Sequence, residues 1–180
     1  MMLVSIIVAT YRRDVALKNA LESLVNQSYK NIEIIVVDDN ANIQWNNKVD
    51  NIIKNISVIH PIKYIVNAQN EGSARSRNIG IENTTGEYIT FLDDDDEYLP
   101  DKIINQVEYM IKENADFSIT DLELFSERGT KIEKRTREYI REKTTKALLK
   151  YHLMYHMTGT DTMMFKKDYL MSIGGFPHIN

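Results

Sequence analysis

Four short runs of apolar, largely β-branched residues most strongly limit the folds open to this chain. They lie at residues 3–9, 32–37, 62–66 and 88–92. The first run is almost continuous, with no polar residue except one serine. A continuous apolar run of this length is typical of a parallel strand that is buried on both faces.

Helical patterns separate these runs. Residues 17–27 carry leucines at helical spacing, and Asp14 is a suitable N-cap in front of them. Further helices are predicted over residues 49–56, over residues 70–83, and from Pro100 onwards. Because strands alternate with helices, the sequence predicts an open, mostly parallel α/β sheet flanked by helices.

Three polar clusters follow three of the predicted strands. They occupy residues 10–13, 38–40 and 93–96. In open α/β sheets, ligands bind beyond the carboxyl ends of the strands. We therefore expect the three clusters to share one edge, which favours a functional site over chance surface polarity.

The third cluster is part of a run of five acidic residues, 93–97. Repulsion and desolvation both oppose ending a buried strand in such a run. Two interpretations fit. The carboxylates bind a divalent cation such as Mg²⁺, Mn²⁺ or Ca²⁺, which favour oxygen ligands. Alternatively, the run is a solvated acidic loop at the start of the next helix.

Composition narrows the class of protein. The chain has 180 residues and a net charge of -4, so it fits one globular domain, or a large part of one, without a nucleic-acid partner. It has no cysteine, which excludes disulfides and thiolate metal sites. The apolar start is too short to span a membrane and lacks the features of a signal peptide. We expect a cytoplasmic protein.

The last third of the chain has a less regular pattern. It predicts a strand at 117–125 interrupted by Asp121, a loop or solvated helix at 126–143, an amphipathic helix at 145–155, a strand at 162–165 and a turn at 174–177. Within it, Lys and Arg outnumber Glu over residues 131–150. A solvated face is the favoured interpretation, and attraction to a phosphate-bearing acceptor or an anionic membrane surface is the alternative.

Five segments, in order, resemble motifs of the family 2 glycosyltransferases. The first three are VSIIVATY at 4–11, LESLVNQSY at 21–29 and EIIVVDDN at 33–40. The fourth lies at residues 70–80 and consists of Asn70-Glu71-Gly72, Ala74, Arg77-Asn78 and Gly80. The fifth is the segment 86–101, which begins with GEYI and ends with LPD. The resemblance is close over residues 4–112 and returns at Gly174-Gly175-Phe176. It implies the GT-A fold, a Rossmann-like α/β fold of nucleotide-diphospho-sugar transferases.

The resemblance implies transfer of a sugar from a nucleotide-diphosphate donor, expected to be a UDP-sugar, to an acceptor hydroxyl with inversion. A divalent cation, Mn²⁺ or Mg²⁺, would neutralise the leaving diphosphate. Asp93 and Asp95 match the family's DXD pair and are the expected metal ligands. In an extended segment residues i and i+2 point the same way, so one cation would meet both. Asp94 would accept a ribose hydroxyl, whereas Asp96 and Glu97 would add charge at the start of the next helix.

Asp39 and Tyr11 match nucleotide-binding positions of the family, and Thr10, Arg77 and Arg75 are further candidates for contacts with the donor. Asp39 would accept the N3–H of uracil or thymine, because a carboxylate accepts but does not donate. Tyr11 would pack against the base, Thr10 would add a backbone or hydroxyl contact, and Arg77, with Arg75 second, would reach the nucleotide or the diphosphate. The structural alternatives are a helix-capping Asp39, an ordinary core or surface Tyr11, and an Arg77 paired with the acidic run.

The family's general base follows the glycine-glycine-phenylalanine turn. Here the turn is followed only by PHIN. His178 is a candidate for the base, with an inert loop histidine as the alternative, and Asp121 and Asp161 are candidate acceptor-side acids, with structural roles as the alternative; we expect the base beyond Asn180.

The resemblance thus predicts one GT-A domain, truncated at its C-terminus. Residues 1–115 would form the nucleotide-sugar-binding half, and residues 116–180 would begin the acceptor half. The acceptor would be a carbohydrate or a lipid-linked molecule of cell-surface polysaccharide or glycoconjugate synthesis. The protein would reach it by associating peripherally with the inner face of the membrane. Two alternatives remain: a non-catalytic nucleotide-sugar-binding module, and a sugar nucleotidyltransferase, against which the lack of glycine at residues 10–14 counts.

Overall fold

The computed structural model describes residues 1–57, 60–126, 128–156 and 159–177. The strands are β1 (Val4–Thr10), β2 (Ile32–Asp38), β3 (Ile62–Val66), β4 (Tyr88–Asp93), β5 (Phe117–Ile119), β6 (Leu122–Phe125), β7 (Lys131–Arg135) and β8 (Met163–Lys166). The helices are α1 (Val15–Val25), α2 (Ile43–Ile56), α3 (Ser73–Glu82), α4 (Lys102–Glu113), α5 (Thr145–Tyr155) and α6 (Lys167–Ser172), with a short 3-10 helix at Thr160–Thr162.

Six strands form one sheet in the order β3-β2-β1-β4-β8-β5, and β6 and β7 form a separate hairpin. β1 pairs in parallel with β2 and with β4, and β2 pairs in parallel with β3. β8 runs antiparallel to both β4 and β5. The predicted open, mostly parallel α/β sheet is therefore confirmed.

β1 lies in the middle of the parallel part and is buried on both faces, because its alternate side chains enter two apolar clusters. Ile6 and Val8 pack on one face with Leu17, Leu21 and Leu24 of α1. Ile7 packs on the other face in a cluster with Ile35, Ile81, Ile89, Phe91 and Leu170. These two clusters hold the sheet edge that carries the polar residues.

α3 lies unusually close to β1 at Gly80. A Cβ built on Gly80 would lie 2.4 Å from Cγ2 of Ile7, a distance that real Cβ atoms do not reach. A glycine therefore permits the close approach of the helix to the strand. The same helix carries Arg77, so this contact also positions a candidate site residue.

The last third of the chain differs from the sequence prediction in two places. Residues 117–125 do not form one interrupted strand: β5 joins the main sheet, and β6 pairs with β7 in the hairpin. Residues 126–143 contain β7, which the sequence analysis missed. β7 is exposed along its whole length, so its sequence KIEKR carries no apolar face that would reveal a strand.

Other predictions for this region are confirmed in part. α5 forms a helix at the predicted residues 145–155, but it is not the amphipathic helix expected, because Leu149 and Leu153 are exposed; β8 corresponds to the predicted strand at 162–165. Gly174 and Gly175 have φ values of 84° and 68°, which only glycine adopts easily, so a turn forms there. Among the described helices, none is both long and apolar enough to cross a membrane.

Candidate active site

The candidate site lies at the carboxyl ends of β1, β2 and β4. Thr10 at the end of β1 lies opposite Asp38 of β2, and Ala9 lies opposite Asp93 at the end of β4. Because these strands are parallel, the polar segments that follow them leave the sheet at the same edge. The structure thus brings together the three polar clusters that the sequence analysis placed there.

The acidic run bends directly after β4. Asp94 and Asp95 lie in a turn, and the N–H of Asp96 donates to the carbonyl oxygen of Asp93 at 3.1 Å. Asp95 lies beyond the extended segment, so the argument that one cation would meet both Asp93 and Asp95 no longer applies. The Asp95 side chain is 46% exposed and pairs with Arg13 at 2.9 Å.

Asp96 and Asp161, rather than Asp95, lie close to Asp93. Carboxylate oxygens of these three residues, hereafter the acidic cluster, all lie within 4.8 Å of one another. Asp161 comes from the short 3-10 helix that precedes β8. Carboxylates this close repel one another, and a hard divalent cation relieves that repulsion by taking oxygen ligands.

Burial and the crowding of negative charges together perturb the pKa values in the acidic cluster. Partial burial, reinforced by the charges of Asp161, Asp95 and Asp93, raises the pKa of Asp96 to about 6. Burial and the charge of Asp93 also raise the pKa of Asp161, while nearby Lys102 opposes that rise. The cluster therefore holds its full negative charge at a cost in free energy.

Arg77 of α3 contacts the acidic cluster directly. Its Nη2 donates to Oδ1 of Asp93 at 2.6 Å, so the ion pair foreseen as an alternative is present. Its guanidinium lies 5.5 Å from the ring centroid of Phe176. Phe176 is held by two hydrogen bonds with Asn78, each 2.9 Å, and by an edge-on contact with Phe91. The glycine-glycine-phenylalanine turn therefore places the Phe176 ring against the guanidinium of Arg77.

Asp94 ties the end of β4 to the loop that follows β1. Its Oδ2 accepts from the Thr10 hydroxyl at 2.8 Å and from the N–H of Tyr11 at 3.2 Å. Its Oδ1 lies 3.2 Å from Nε of Arg13. Burial raises the pKa of Asp94, although these three partners counteract the rise. Asp94 thus fixes the loop that carries Tyr11.

Tyr11 offers an aromatic surface at this edge. It is 43% exposed, and the guanidinium of Arg12 lies 5.1 Å from its ring centroid. Arg12 has a positive φ of 53° and donates its N–H to Oδ1 of Asn40 at 2.7 Å. An exposed ring of this kind is able to stack against a nucleobase.

Asp39 organises the loop before α3. It is 4% exposed, and its carboxylate accepts four hydrogen bonds of 2.8 to 3.0 Å, from the side chains of Asn67 and Asn70 and from the N–H groups of Glu71 and Gly72. A carboxylate has about four acceptor positions, so these donors fill it. A base N–H would have to replace one of them. Of the two side-chain donors, Asn70 belongs to an exposed residue and Asn67 to a buried one.

A polar network lies beneath the acidic turn. Nζ of Lys102 donates to Oγ1 of Thr90 at 2.8 Å and lies 3.8 Å from the ring centroid of Tyr98. The Tyr98 hydroxyl contacts Thr90 and also donates to the carbonyl oxygen of Phe91. Burial lowers the pKa of Lys102 and raises that of Tyr98. The network anchors both ends of the acidic run.

The remaining candidates from the sequence lie elsewhere. Arg75 pairs with Glu82 at 3.4 Å, and Asp121 lies 3.5 Å from Nζ of Lys134 at the base of the hairpin. His178 lies outside the described residues.

Sequence reasoning missed the shared position of Asp96 and Asp161. Asp96 had been assigned to the start of the next helix, and its place in the acidic run was its only signal. Asp161 has no local signal, because it reaches the cluster only through the antiparallel pairing of β8 with β4. Arg13, which pairs with both Asp94 and Asp95, was noted only as part of a polar cluster.

Comparison with known proteins gives a family. The sequence model described as "Glycosyl transferase family 2" matches residues 5–171. A relative from Campylobacter jejuni, named "GalNAc(5)-diNAcBac-PP-undecaprenol beta-1,3-glucosyltransferase", is 33% identical over 92% of this chain and 52% of its own length. This chain spans about half the length of several curated relatives that it matches, and about a fifth of others.

Solved structures agree on the fold. TarS 1-349 from S. aureus in complex with UDP-GlcNAc matches 98% of this chain and 49% of its own, with a TM-score of 0.75 and 22% identity. The mannosyltransferase PcManGT from Pyrobaculum calidifontis, in complex with GDP-Man and Mn2+, matches 98% of this chain and 48% of its own, with a TM-score of 0.71 and 17% identity. The expected GT-A fold is confirmed, and the chain belongs to glycosyl transferase family 2.

Proposed function

We propose that this chain carries the donor-binding half of a metal-assisted, inverting glycosyltransferase of the hexosyltransferase kind that uses a UDP-sugar. Support comes from its family and from two similar proteins. TarS is similar to it in fold and binds UDP-GlcNAc, and the Campylobacter relative has a lipid-linked acceptor in its name. The proposed acceptor is a hydroxyl of a carbohydrate or lipid-linked molecule in cell-surface polysaccharide synthesis, met on the cytoplasmic side of the membrane.

The acidic cluster is the observation that carries this proposal. Three carboxylates converge within 4.8 Å at the edge where α/β sheets bind ligands, and the pKa of Asp96 is raised to about 6. Oxygen ligands and unrelieved negative charge fit Mn²⁺ or Mg²⁺. Asp93, with Asp96 and Asp161, would hold the cation, which would act as a Lewis acid for the leaving diphosphate.

The neighbouring residues would bind the rest of the donor. Arg77 lies against Asp93 and would extend from it towards the diphosphate, since an arginine forms paired hydrogen bonds with phosphate oxygens. Oδ1 of Asp94 lies 3.2 Å from Nε of Arg13 and accepts no other contact from the described residues, so a ribose hydroxyl would find an acceptor there. Tyr11 would stack on the base, Thr10 would hold Asp94 in place, and Asp39 would accept the base N–H or fix the loop that does.

Thermal shift measurements with UDP, GDP and CMP, each with and without Mn²⁺, test donor binding. We expect UDP with Mn²⁺ to raise the melting temperature most, because a ligand that binds only the folded state stabilises it by mass action. If no nucleotide raises the melting temperature even with Mn²⁺, the donor site is refuted.

The choice of metal ligand needs separate variants. The resemblance assigns Asp95, whereas the observed distances favour Asp96. Asp95→Asn and Asp96→Asn are therefore compared for Mn²⁺-dependent UDP binding, with Asp101→Asn as control because that nearby acid makes no side-chain cap hydrogen bond. Loss of the Mn²⁺ effect only in Asp96→Asn supports ligation by the acidic cluster, and loss only in Asp95→Asn supports the resemblance.

A non-catalytic binding module is the second candidate, because neither of the two described acids considered from the sequence is placed as a general base. Of the acids considered from the sequence, Asp121 is engaged in the hairpin and Asp161 lies in the acidic cluster. Hydrolysis of a UDP-sugar without acceptor separates the two functions. Release of UDP above the level of the Asp93→Asn variant supports bond cleavage, and binding without release favours the module.

A further inference from the structure

The hairpin of β6 and β7 and the helix α5 form an excursion from the main sheet. The chain leaves the sheet after β5 and returns at β8, and the two ends meet where the N–H of Thr120 donates to the carbonyl oxygen of Thr162 at 3.0 Å. Thr162 is next to Asp161 of the acidic cluster. The excursion therefore begins and ends beside the candidate active site. Among the described residues, neither apolar cluster includes a residue of β6, β7 or α5.

The excursion has a charge opposite to that of the rest of the chain. Residues 122–155, which include β6, β7 and α5, contain nine Lys or Arg and five Glu, whereas the whole chain has a net charge of -4. α5 itself contains no acidic residue. A surface of this kind attracts an anionic partner.

The outward face of α5 adds exposed apolar side chains to this basic charge. Leu149 and Leu153, four residues apart, are 57% and 71% exposed. Lys146 and Lys150 are also exposed, and their spacing places them on the same side of the helix. Met154, 56% exposed, lies beside them, and no residue of α5 is buried.

The opposite side of α5 is directed towards the protein. Ala147, Leu148 and Tyr151 are half-buried, and the Tyr151 ring packs 5.8 Å from that of Tyr139. The helix is therefore held by one side and presents leucines and lysines on the other. A short helix with apolar and lysine residues on one exposed side is typical of a segment that lies in the interface of a membrane.

We propose that the outward face of α5, with the basic residues around it, docks on an anionic lipid membrane. Lysines at a lipid surface contribute attraction to anionic headgroups, and leucines beside them enter the boundary of the acyl chains. A soluble polyanion would attract the lysines but would leave the leucines in water. Because the excursion begins and ends beside the acidic cluster, docking there would hold the candidate site near a membrane that carries the proposed lipid-linked acceptor. The docking itself does not depend on donor binding.

Sedimentation of the purified protein with lipid vesicles tests this surface. Vesicles of phosphatidylglycerol and phosphatidylcholine are compared with vesicles of phosphatidylcholine alone. We expect binding to the anionic vesicles that weakens as ionic strength rises. Lys146→Glu with Lys150→Glu should weaken binding by about 25-fold or more, since each surface lysine contributes about fivefold. Leu149→Ser with Leu153→Ser should weaken it by at least about tenfold.

Matched variants elsewhere serve as controls. Lys18→Glu with Lys112→Glu makes the same charge change, and Val15→Ser with Ile111→Ser removes apolar side chains that are 71% and 55% exposed. These controls should bind anionic vesicles as the parent protein does. Circular dichroism and the thermal shift with UDP check that each variant is folded, and they report on the donor site separately from docking.

Three results would overturn the proposal. Equal binding to neutral and anionic vesicles would exclude charge as the cause. Equal losses in the α5 variants and their controls would show that the site is not on α5. Absence of vesicle binding together with self-association that the α5 variants abolish would assign this face to a second copy of the chain.

Discussion

Replacement of Asp96 by asparagine should stabilise the metal-free protein. Asp96 lies within the acidic cluster, where partial burial and the charges of Asp161, Asp95 and Asp93 raise its pKa from 3.8 to about 6. Asparagine has nearly the same shape and no charge, so the variant removes the repulsion without opening a cavity. In EDTA at neutral pH we therefore expect the free energy of unfolding to rise.

The magnitude follows from the pKa shift. A shift of about two units corresponds to about 3 kcal/mol between the charged and neutral forms. Asp96 is more than a third exposed, and solvent screening reduces the effect to about 1 kcal/mol. For a chain of 180 residues this is a rise in Tm of about 2–4 °C.

The sign is set by proton linkage. Because the pKa is higher in the folded state, the folded protein binds more protons than the unfolded chain between pH 3.8 and about 6. The parent protein therefore loses stability as the pH rises through this range, and Asp96→Asn should lose less. In saturating Mn²⁺ the parent protein should be the more stable of the two, because only the parent has the carboxylate of Asp96 as a third metal ligand.

Urea unfolding of both proteins across this pH range, with EDTA or Mn²⁺, measures the effect, and Asp101→Asn is the control. A variant that is less stable than the parent in EDTA at pH 7 would refute the repulsion argument. A variant that gains as much from Mn²⁺ as the parent would show that Asp96 is not a ligand.

Three further changes test other parts of the fold and site. Gly80→Ala should destabilise the protein by about 1–3 kcal/mol in urea unfolding, because the new Cβ would clash with Ile7; no loss would contradict the close packing. Asp39→Asn should cost about 1–3 kcal/mol for each donor left without an acceptor, and it should weaken UDP binding with or without Mn²⁺; a loss seen only with Mn²⁺ would contradict the proposed base contact. Arg77→Gln should weaken UDP binding by about tenfold or more in calorimetry, because the lost interaction is with the diphosphate. Uridine binding should stay unchanged, and an equal loss for both ligands would assign Arg77 a structural role.

Local pattern was sufficient for the framework of residues 1–115. The runs at residues 3–9, 32–37, 62–66 and 88–92 all became strands of the main sheet, because burial on both faces demands continuous apolar sequence. Parallel strands then required the segments after them to share an edge. The position of Asp39, Asp93 and Asp94 at that edge therefore followed from the sequence.

The contents of the site depended on contacts between distant parts of the chain. Asp161 joins Asp93 because β8 pairs with β4, and Phe176 lies behind Arg77 because Asn78 holds the turn. Neither contact leaves a periodic signal in the sequence. β7 was missed for a related reason, since an exposed strand needs no apolar alternation.

The sequence by itself thus determined the alternating α/β framework, the edge that carries the acids and the family that the chain resembles. Tertiary structure decided which carboxylates converge: the turn after Asp93 moves Asp95 to Arg13, and Asp96 and Asp161 take the places beside Asp93. Periodicity records which side of a strand or helix is buried. It does not record where a chain turns after a strand ends, because that direction is set by the partners that the turn meets in the folded protein.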